Sequence, residues 1–474
     1  MGQGSSAVAG RAGAAKDAKL TGATTTKAMG NEPGSLRQRS VRGGAWSTIG
    51  FGASSALRLC SNLILVRFIA PDAFGLMAVA LSLVIWLGMM TDLGINASVI
   101  REKEGETQDF INVAWTVQFI RNIIIAAILC IAAAALFLAR DIDWLPANSA
   151  YRDAAMPPLI LFVSLSTVIG SLQTLGAAIC NRHLDFKRLV PIEIATQIVG
   201  SGVTVAFAVA GAGVWSLAYG MIANSATMAA ATYLLGGRPS RLSLDPVHRR
   251  TIINYGKWIL VSSFLSFILL KGDTLIFGGL VDKELLGFYA VAGTWVMALQ
   301  GFIGMMMKRL FYPIFAEIHR ERPEDMNRIY AKTRDLVDLC ISFAFVGAAF
   351  AGNFLVGLIY PDSYASVGKY ITLMSISILY MPTEILQTII LSAGESRRYS
   401  ATLLGPAIAI LVLTPLVYRL FGFDAAVIAA MSAKIFALPV IWSMVKGRIS
   451  LSIWREARMP LLALVSVAGF VMFY

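Results

Sequence analysis

The sequence predicts an all-α polytopic membrane protein: two six-helix lobes related as parallel repeats, about twelve transmembrane helices in all, and a short thirteenth segment. Three observations carry this reading: the composition, a succession of long apolar runs separated by short polar loops, and a motif that occurs once in each half. Hydrophobic residues make up 57% of the 474 and charged residues only 14%, against roughly 25% charged in soluble domains. The runs are about 20 to 28 residues long, enough to cross a hydrocarbon core of roughly 30 Å. A spanning segment must satisfy its own backbone hydrogen bonds, which makes these runs helices. Barrel strands are short and alternate in polarity, so they leave no such runs.

The spans fall at 45–69, 73–98, 110–138, 155–180, 190–210, 213–235, 252–280, 285–307, 335–359, 368–393, 400–418 and 424–445. Lys and Arg then crowd onto alternate loops. One side holds Arg101, Lys103, Arg182, Lys187, Arg188, the basic linker from Arg238 to Lys257, the segment from Lys308 to Arg334, and Arg397 and Arg398. The other side has Arg140, Arg152, Lys283, Lys369 and Arg419. Basic loops face the cytoplasm, which puts the N-terminus and the end of the twelfth span inside. The net charge of +12 is therefore read as topology, with no nucleic-acid partner.

Five regions result. Residues 1–44 form a disordered basic cytoplasmic tail, rich in Gly, Ala, Ser and Thr and lacking the apolar core of a secretion signal. Residues 45–236 form the N-terminal lobe, 237–251 a cytoplasmic linker, 252–446 the C-terminal lobe and 447–474 a last segment. That segment is apolar from Met459 to Tyr474 but short for a full span; a truncated thirteenth helix and an interfacial helix both fit. Cys60, Cys130, Cys180 and Cys340 are far apart and show no metal-ligand spacing, so they read as small apolar packing residues. No cofactor motif is present.

The repeated motif reads Arg67-Phe68-Ile69-Ala70-Pro71-Asp72-Ala73-Phe74-Gly75-Leu76-Met77-Ala78 in the first half. In the second it reads Gly279-Leu280-Val281-Asp282-Lys283-Glu284-Leu285-Leu286-Gly287-Phe288-Tyr289-Ala290. Trp46 and Trp258, Gly75 and Gly287, and Ala78 and Ala290 share one offset of 212 residues. Six spans return the chain to its starting side, so the halves are parallel repeats about an axis along the membrane normal. In transporters built this way substrate sits between the repeats near the midplane.

The stretch from Ser61 to Glu102, including "RFIAPDAFGLMAVALSLVIWLGMMTDLGINASVI", resembles the first two helices of the bacterial polysaccharide-transport flippases of the Wzx/WzxC type. These belong to the superfamily of multidrug/oligosaccharidyl-lipid/polysaccharide exporters. "CNRHLDFKRLVPIE" is similar to their turn between helices four and five. "KGDTLIFGGLVDKELLGFYAVA" is similar to helix seven and the start of helix eight, and "MMKRLFYPIFAEIHRERPEDMNRIY" to the end of helix eight. The likeness covers about residues 45–446; the long N-terminal tail and the abbreviated end depart from it. It implies translocation of an undecaprenyl-pyrophosphate-linked oligosaccharide across a bacterial inner membrane, for exopolysaccharide, capsule or O-antigen synthesis, by alternating access. It also implies contact with membrane lipids and, as partners, a polysaccharide polymerase and a chain-length regulator.

Charges inside a bilayer are costly and usually face protein or water. Arg67 is near an interface and can snorkel, whereas Arg58, Arg121, Lys271 and Lys434 lie deeper. Polar stripes accompany them: Ser47, Gly50, Ser54, Arg58 and Ser61; Gly88, Asp92 and Asn96; Gln118, Arg121 and Asn122; and Glu193, Gln197, Gly200 and Thr204. One reading has the four cations attract the pyrophosphate while the stripes accommodate sugar hydroxyls. The other has each cation pair with an intramembrane acid or amide to hold the bundle together. Asp273 and Glu384 are the candidates for proton or sodium coupling, with structural pairing as the alternative. Lys271 and Asp273 are two apart and do not face each other on a regular helix, though Gly272 permits a distortion. The tryptophans fit interfacial anchoring better than sugar stacking.

Two rivals remain. A drug exporter or a peptidoglycan-precursor flippase would share the superfamily, but drug exporters bind cations and favour acidic cavities. A membrane glycosyltransferase or polymerase would need a sizeable region bearing catalytic groups, and the longest outer loop, 139–154, resembles a solvated connection. No P-loop is present to bind ATP. The expectation is a transporter, not an enzyme.

Overall fold

A computed structural model describes residues 36–139, 149–235, 240–321, 323–392, 395–446 and 452–473. Among them almost every residue is helical, and a β-bridge joins Ser149 and Asp282. The first lobe comprises α1 (Leu36–Leu65), α2 (Pro71–Met90), the short α3 (Ile95–Arg101), α4 (Gln108–Ala139), α5 (Met156–Ser171), α6 (Gly176–His183), α7 (Phe186–Val209) and α8 (Val214–Thr232). The second comprises α9 (Pro246–Phe267), a π turn (Ile268–Gly272), α10 (Asp273–Leu280), α11 (Lys283–Glu321), α12 (Met326–Ile359), α13 (Ser366–Ser375) and α14 (Thr383–Ser392). It continues with α15 (Ser396–Thr402), α16 (Leu404–Phe421), α17 (Phe423–Ser432), a 3-10 turn (Ala433–Ala437) and α18 (Leu438–Val445), and α19 (Ile453–Phe473) follows.

All twelve predicted spans are helical, but not all are straight or uniformly apolar. Among the described residues, seven helices are long and apolar enough to cross a membrane, and up to ten if each bent pair counts as one span. The 155–180 span bends by 60° between α5 and α6, and 368–393 bends by 44° around Pro382. The helices over 36–65 and 214–232 carry enough Gly, Ser, Thr and Asn to fall outside that set. Residues 1–35 of the expected tail lie outside the described residues, and the first helix already begins at Leu36. Leu36, Arg37, Gln38 and Arg39 are good helix formers, so the span continues past the apolar run. The last segment forms the 21-residue α19, which is not among the helices long and apolar enough to cross.

In a bilayer, helices associate through close packing and polar contacts more than through hydrophobic transfer. Part of the predicted polar lining is spent this way. Gly200 and Gly220 bring α7 onto α8 so closely that a Cβ on Gly220 would meet Thr204 Oγ1 at 1.7 Å. Asn224 Nδ2 donates to the Thr196 carbonyl at 3.1 Å. Gly50 receives Val190 with no room for a Cβ. The stripe from Glu193 to Thr204 is thus in large part a packing seam.

The repeated motif meets itself. The first turns of α2 and α11 cross so that a Cβ on Gly75 would lie 2.1 Å from the Lys283 carbonyl oxygen. A Cβ on Gly287 would lie 1.8 Å from that of Pro71. Pro71 and Lys283 carry the same 212-residue offset as the two glycines, so the crossing is a pseudo-twofold contact. Around it, Lys283 Nζ donates to Asp153 Oδ2 at 2.6 Å and lies 3.7 Å from Asp72 Oδ2. Tyr151 Oη donates to the Leu275 carbonyl at 3.0 Å, Tyr364 Oη to that of Ile69, and Tyr360 Oη to Asn62 Oδ1 at 2.9 Å. At the end of the bundle that the charge distribution assigns to the outside, the lobes are closed on each other.

Candidate functional site

At the opposite half of the bundle the site begins where α2 ends. Asp92 Oδ1 accepts from the Gly94 amide at 2.9 Å, and Gly94 takes a left-handed conformation with φ 60° to open α3. Gly256 of α9 presses on this turn: a Cβ there would stand 2.7 Å from the Leu93 carbonyl oxygen. The close approach lets Ser263 Oγ of α9 donate to Asp92 Oδ2 at 3.3 Å. From α4, Arg121 Nη1 comes within 3.7 Å of Asp92 Oδ1, and Nη2 donates to Asn122 Oδ1 at 3.4 Å. Arg121 Nε is buried with no hydrogen-bond partner, so the guanidinium is only loosely held.

A second acid–base pair occupies the other lobe. Glu384 stands in the first turn of α14, just after the Pro382 bend, and Lys434 lies in the 3-10 turn Ala433–Ala437. Lys434 Nζ donates to Glu384 Oε1 at 3.2 Å. Tyr399 of α15 lies within electrostatic reach of Glu384. Ser400, beside it, shares a 2.8 Å hydrogen bond with Ser262 of α9. Adjacent serines of α9 therefore connect the two pairs: Ser263 touches Asp92 and Ser262 touches Ser400.

Arg58, Lys271 and Asp273 sit nearer the outer half. Arg58 is exposed on α1, and Lys271 is half-buried in the π turn. Among the described residues neither pairs with a carboxylate. Asp273 is buried and is held by hydroxyl and amide donors, not by a cation. It accepts from Tyr289 Oη, from the Thr274 amide at 2.6 Å and from Thr274 Oγ1 at 3.3 Å. The distortion that Gly272 permits is present: a π turn over Ile268–Gly272 adds a residue to the helix and shifts its register just before Asp273. Among the described residues no group of three or more His, Cys, Asp or Glu could hold a metal ion.

Of the six singled-out residues, the structure joins Lys434 to Glu384 and gives Arg121 the partner Asp92. It leaves Arg58 and Lys271 apart from them. Among the partners, Asp92 and Asn122 carry a sequence signal, their places on the Gly88-Asp92-Asn96 and Gln118-Arg121-Asn122 stripes; Ser263, Tyr289, Tyr399 and Ser400 carry none.

Two helical lobes meet at one end of the bundle, and two half-exposed acid–base pairs, one in each lobe, stand toward the other end. The structure is similar to the lipid II flippase MurJ in an inward closed conformation, with a TM-score of 0.67 at 15% identity, covering 91% of this chain and 93% of that one. It is also similar to an inward-facing multidrug transporter of the MATE family, with a TM-score of 0.62 at 12% identity, covering 86% and 95%. These likenesses establish the fold. In sequence, the polysaccharide biosynthesis protein family matches residues 64–369, and the chain belongs to that family. The chain is 23% identical over 348 residues to the lipopolysaccharide biosynthesis protein WzxC of Escherichia coli, 72% of this chain and 67% of that protein. It is 25% identical over 240 residues to the amylovoran biosynthesis protein AmsL of Erwinia amylovora, 49% and 60%. It is 19% identical over 296 residues to the succinoglycan biosynthesis transport protein ExoT of Rhizobium meliloti, 62% and 57%. The matches to AmsL and ExoT thus span under two thirds of those proteins.

Proposed function

We propose that this protein is a flippase that carries an undecaprenyl-pyrophosphate-linked oligosaccharide repeat unit across the bacterial inner membrane for exopolysaccharide, capsule or O-antigen synthesis. The observation that carries this reading is the cationic set within the bundle of a polysaccharide biosynthesis family member. Arg121 and Lys434 are half-exposed on the inner half, and Arg58 and Lys271 stand toward the outer half without a carboxylate partner among the described residues. A pyrophosphate entering from the basic-loop side meets Arg121 and Lys434 first and Lys271 and Arg58 later. The N-terminus lies in the cytoplasm, the 45–236 and 252–446 lobes rock about the axis between them, and the crossing of Gly75 and Gly287 is the outer closure. The chain moves its substrate without chemical change. A polymerase and a chain-length regulator receive the unit outside. A drug exporter would present free acids to a cationic drug, whereas Asp92 and Glu384 are already matched with cations.

The test is a deletion strain lacking redundant homologues, complemented by the wild type or by Ala variants of Arg58, Arg121, Lys271 and Lys434. Lost surface polymer, with assembled lipid-linked units accumulating on the cytoplasmic face, is the expected result. Normal polymer in the deletion strain, or full export by all four variants, would overturn the reading. Asp273→Asn and Glu384→Gln test coupling: export should cease to respond normally when the proton or sodium gradient is collapsed, and a wild-type response in both removes them as coupling residues.

A further inference from the structure

We infer that Asp92 and Glu384 are resident counter-anions, holding Arg121 and Lys434 until the substrate's pyrophosphate displaces them. This rests on the reading that those cations bind pyrophosphate. The two inner cations each have a carboxylate partner from their own lobe, at 3.7 Å and 3.2 Å. The outer cations, Arg58 and Lys271, have none among the described residues. The substrate path is thus divided into a guarded inner tier and an unguarded outer tier.

The geometry of the guarded pairs is that of exchangeable contacts. The Asp92–Arg121 side chains are 38% and 23% exposed and the Glu384–Lys434 side chains 28% and 34%, so solvent or a ligand reaches all four. Arg121 Nη1 stands 3.7 Å from Asp92 Oδ1, beyond hydrogen-bond distance, so a phosphate oxygen can replace this contact with a charge-assisted hydrogen bond. Asp92 keeps other partners when Arg121 leaves it, since the Gly94 amide and Ser263 Oγ already donate to it. Contrast the pair buried between α12 and α19, where Arg334 and Glu456 are 0% and 1% exposed; nothing could exchange there.

The physical role is to keep affinity moderate. A pyrophosphate bound by unopposed cations in a low-dielectric cleft would be held too tightly to leave. A carboxylate that returns to its cation as the headgroup moves on assists release. Helix α9 lies beside both regions: Ser263 donates to Asp92, and Ser262 shares a hydrogen bond with Ser400.

The inference separates binding from turnover. Half-exposed ion pairs of this kind are worth up to about 1 kcal/mol, so removing one competitor tightens binding by up to about fivefold. The full-length protein in nanodiscs is titrated with undecaprenyl pyrophosphate, and export is measured in cells. Asp92→Asn retains the side-chain oxygen that accepts from Gly94, and Glu384→Gln retains its length. Each should bind the probe more tightly than wild type, by about two- to fivefold, while export falls. Arg121→Ala and Lys434→Ala should bind it more weakly. Weaker or unchanged binding in both amide variants, with Arg121→Ala and Lys434→Ala still impaired, overturns the counter-anion role and leaves the pyrophosphate site standing. Wild-type binding in both cation variants overturns that site itself.

Discussion

The pseudo-twofold crossing of α2 and α11 can be broken by a single methyl group. Gly287→Ala places a Cβ 1.8 Å from the Pro71 carbonyl oxygen and 2.5 Å from its carbon, both backbone atoms of a helix start that cannot rotate away. To restore van der Waals contact, the outer ends of α2 and α11 must part by more than about 1 Å. Forced overpacking of this kind costs about 1–3 kcal/mol, and under the alternating-access reading that cost falls on the outward-closed state, in which the crossing is made. At about 2 kcal/mol the closed population drops roughly thirtyfold relative to the open one. Asn62 reports the change: it is buried against Tyr360 at this end of the interface. In an otherwise cysteine-free protein, Asn62→Cys should react with a membrane-impermeant maleimide from outside much faster in the Gly287→Ala background, and export should fall. Equal labelling rates and normal export would show that the glycine crossing does not govern closure.

Acid should loosen the same end through Asp153. Burial pushes the Asp153 carboxyl up, but the hydrogen bond from Lys283, the Ala155 amide and the Lys283 charge outweigh it and hold the carboxyl below its ordinary value. A carboxylate lowered in the folded state contributes fully above its ordinary value of about 4 and loses that contribution as pH falls through the lower, folded value. The Asn62→Cys labelling rate, divided at each pH by that of a fully exposed control cysteine to remove the thiolate's own pH dependence, is therefore expected to stay flat between pH 5 and 8 and to rise only in stronger acid. Lys283→Met should abolish that acid step, and a step near neutral pH would contradict the assignment. On the inner side, Arg334 is fully buried, with Nε 3.0 Å from Asp338 Oδ1 and Nη1 3.4 Å from Glu456 Oε2, and Tyr330 Oη donates to Glu456. Arg334→Met takes the cation from the buried Glu456 and leaves Asp338 with Arg458 alone, at a cost of about 3–5 kcal/mol. A clear fall in melting temperature in detergent is expected, and an unchanged value would mean that α19 is held by other contacts.

What the sequence reveals here is what repeats or alternates locally. Apolar runs of spanning length locate all twelve helices, and the shared spacing of Gly75 and Gly287 marks the two residues that later meet. The bend at Pro382 was available from the same reasoning, since proline inside an apolar run interrupts the hydrogen-bond ladder. The partners of the charged residues were not available. Asp92 and Arg121 are on different helices, as are Glu384 and Lys434, and which pairs touch depends on helix rotation and depth, set by seams such as Gly256 on Leu93. The π turn at 268–272 adds a residue to one helical turn without any compositional mark beyond Gly272, so a face assignment across it fails. The stripe from Glu193 to Thr204 has the composition expected of a wet lining and also that of a close helix contact, and only the position of α8 distinguishes them.

The repeat also bears on the inner charge pairs. The residue that corresponds to Asp92 in the second half, by the 212-residue offset, is Gly304. A glycine carries no acid, yet a Cβ built on Gly304 would lie 4.0 Å from Glu384 Oε2. The carboxylate of Glu384 therefore occupies the neighbourhood into which an acidic side chain at position 304 would extend. Each lobe keeps one acid beside one cation, but the second lobe supplies its acid from α14 instead of α11. If place matters and not the helix of origin, moving the acid back should work. Glu384→Gln should lower export, and adding Gly304→Asp should recover much of it by returning a carboxylate to the vicinity of Lys434. Gly304→Asp with Glu384 intact should lower export, because two carboxylates would crowd one ammonium. Export by the double variant no better than Glu384→Gln alone, at equal expression and melting temperature, would show that Glu384 acts through α14 itself rather than as a charge held beside Lys434.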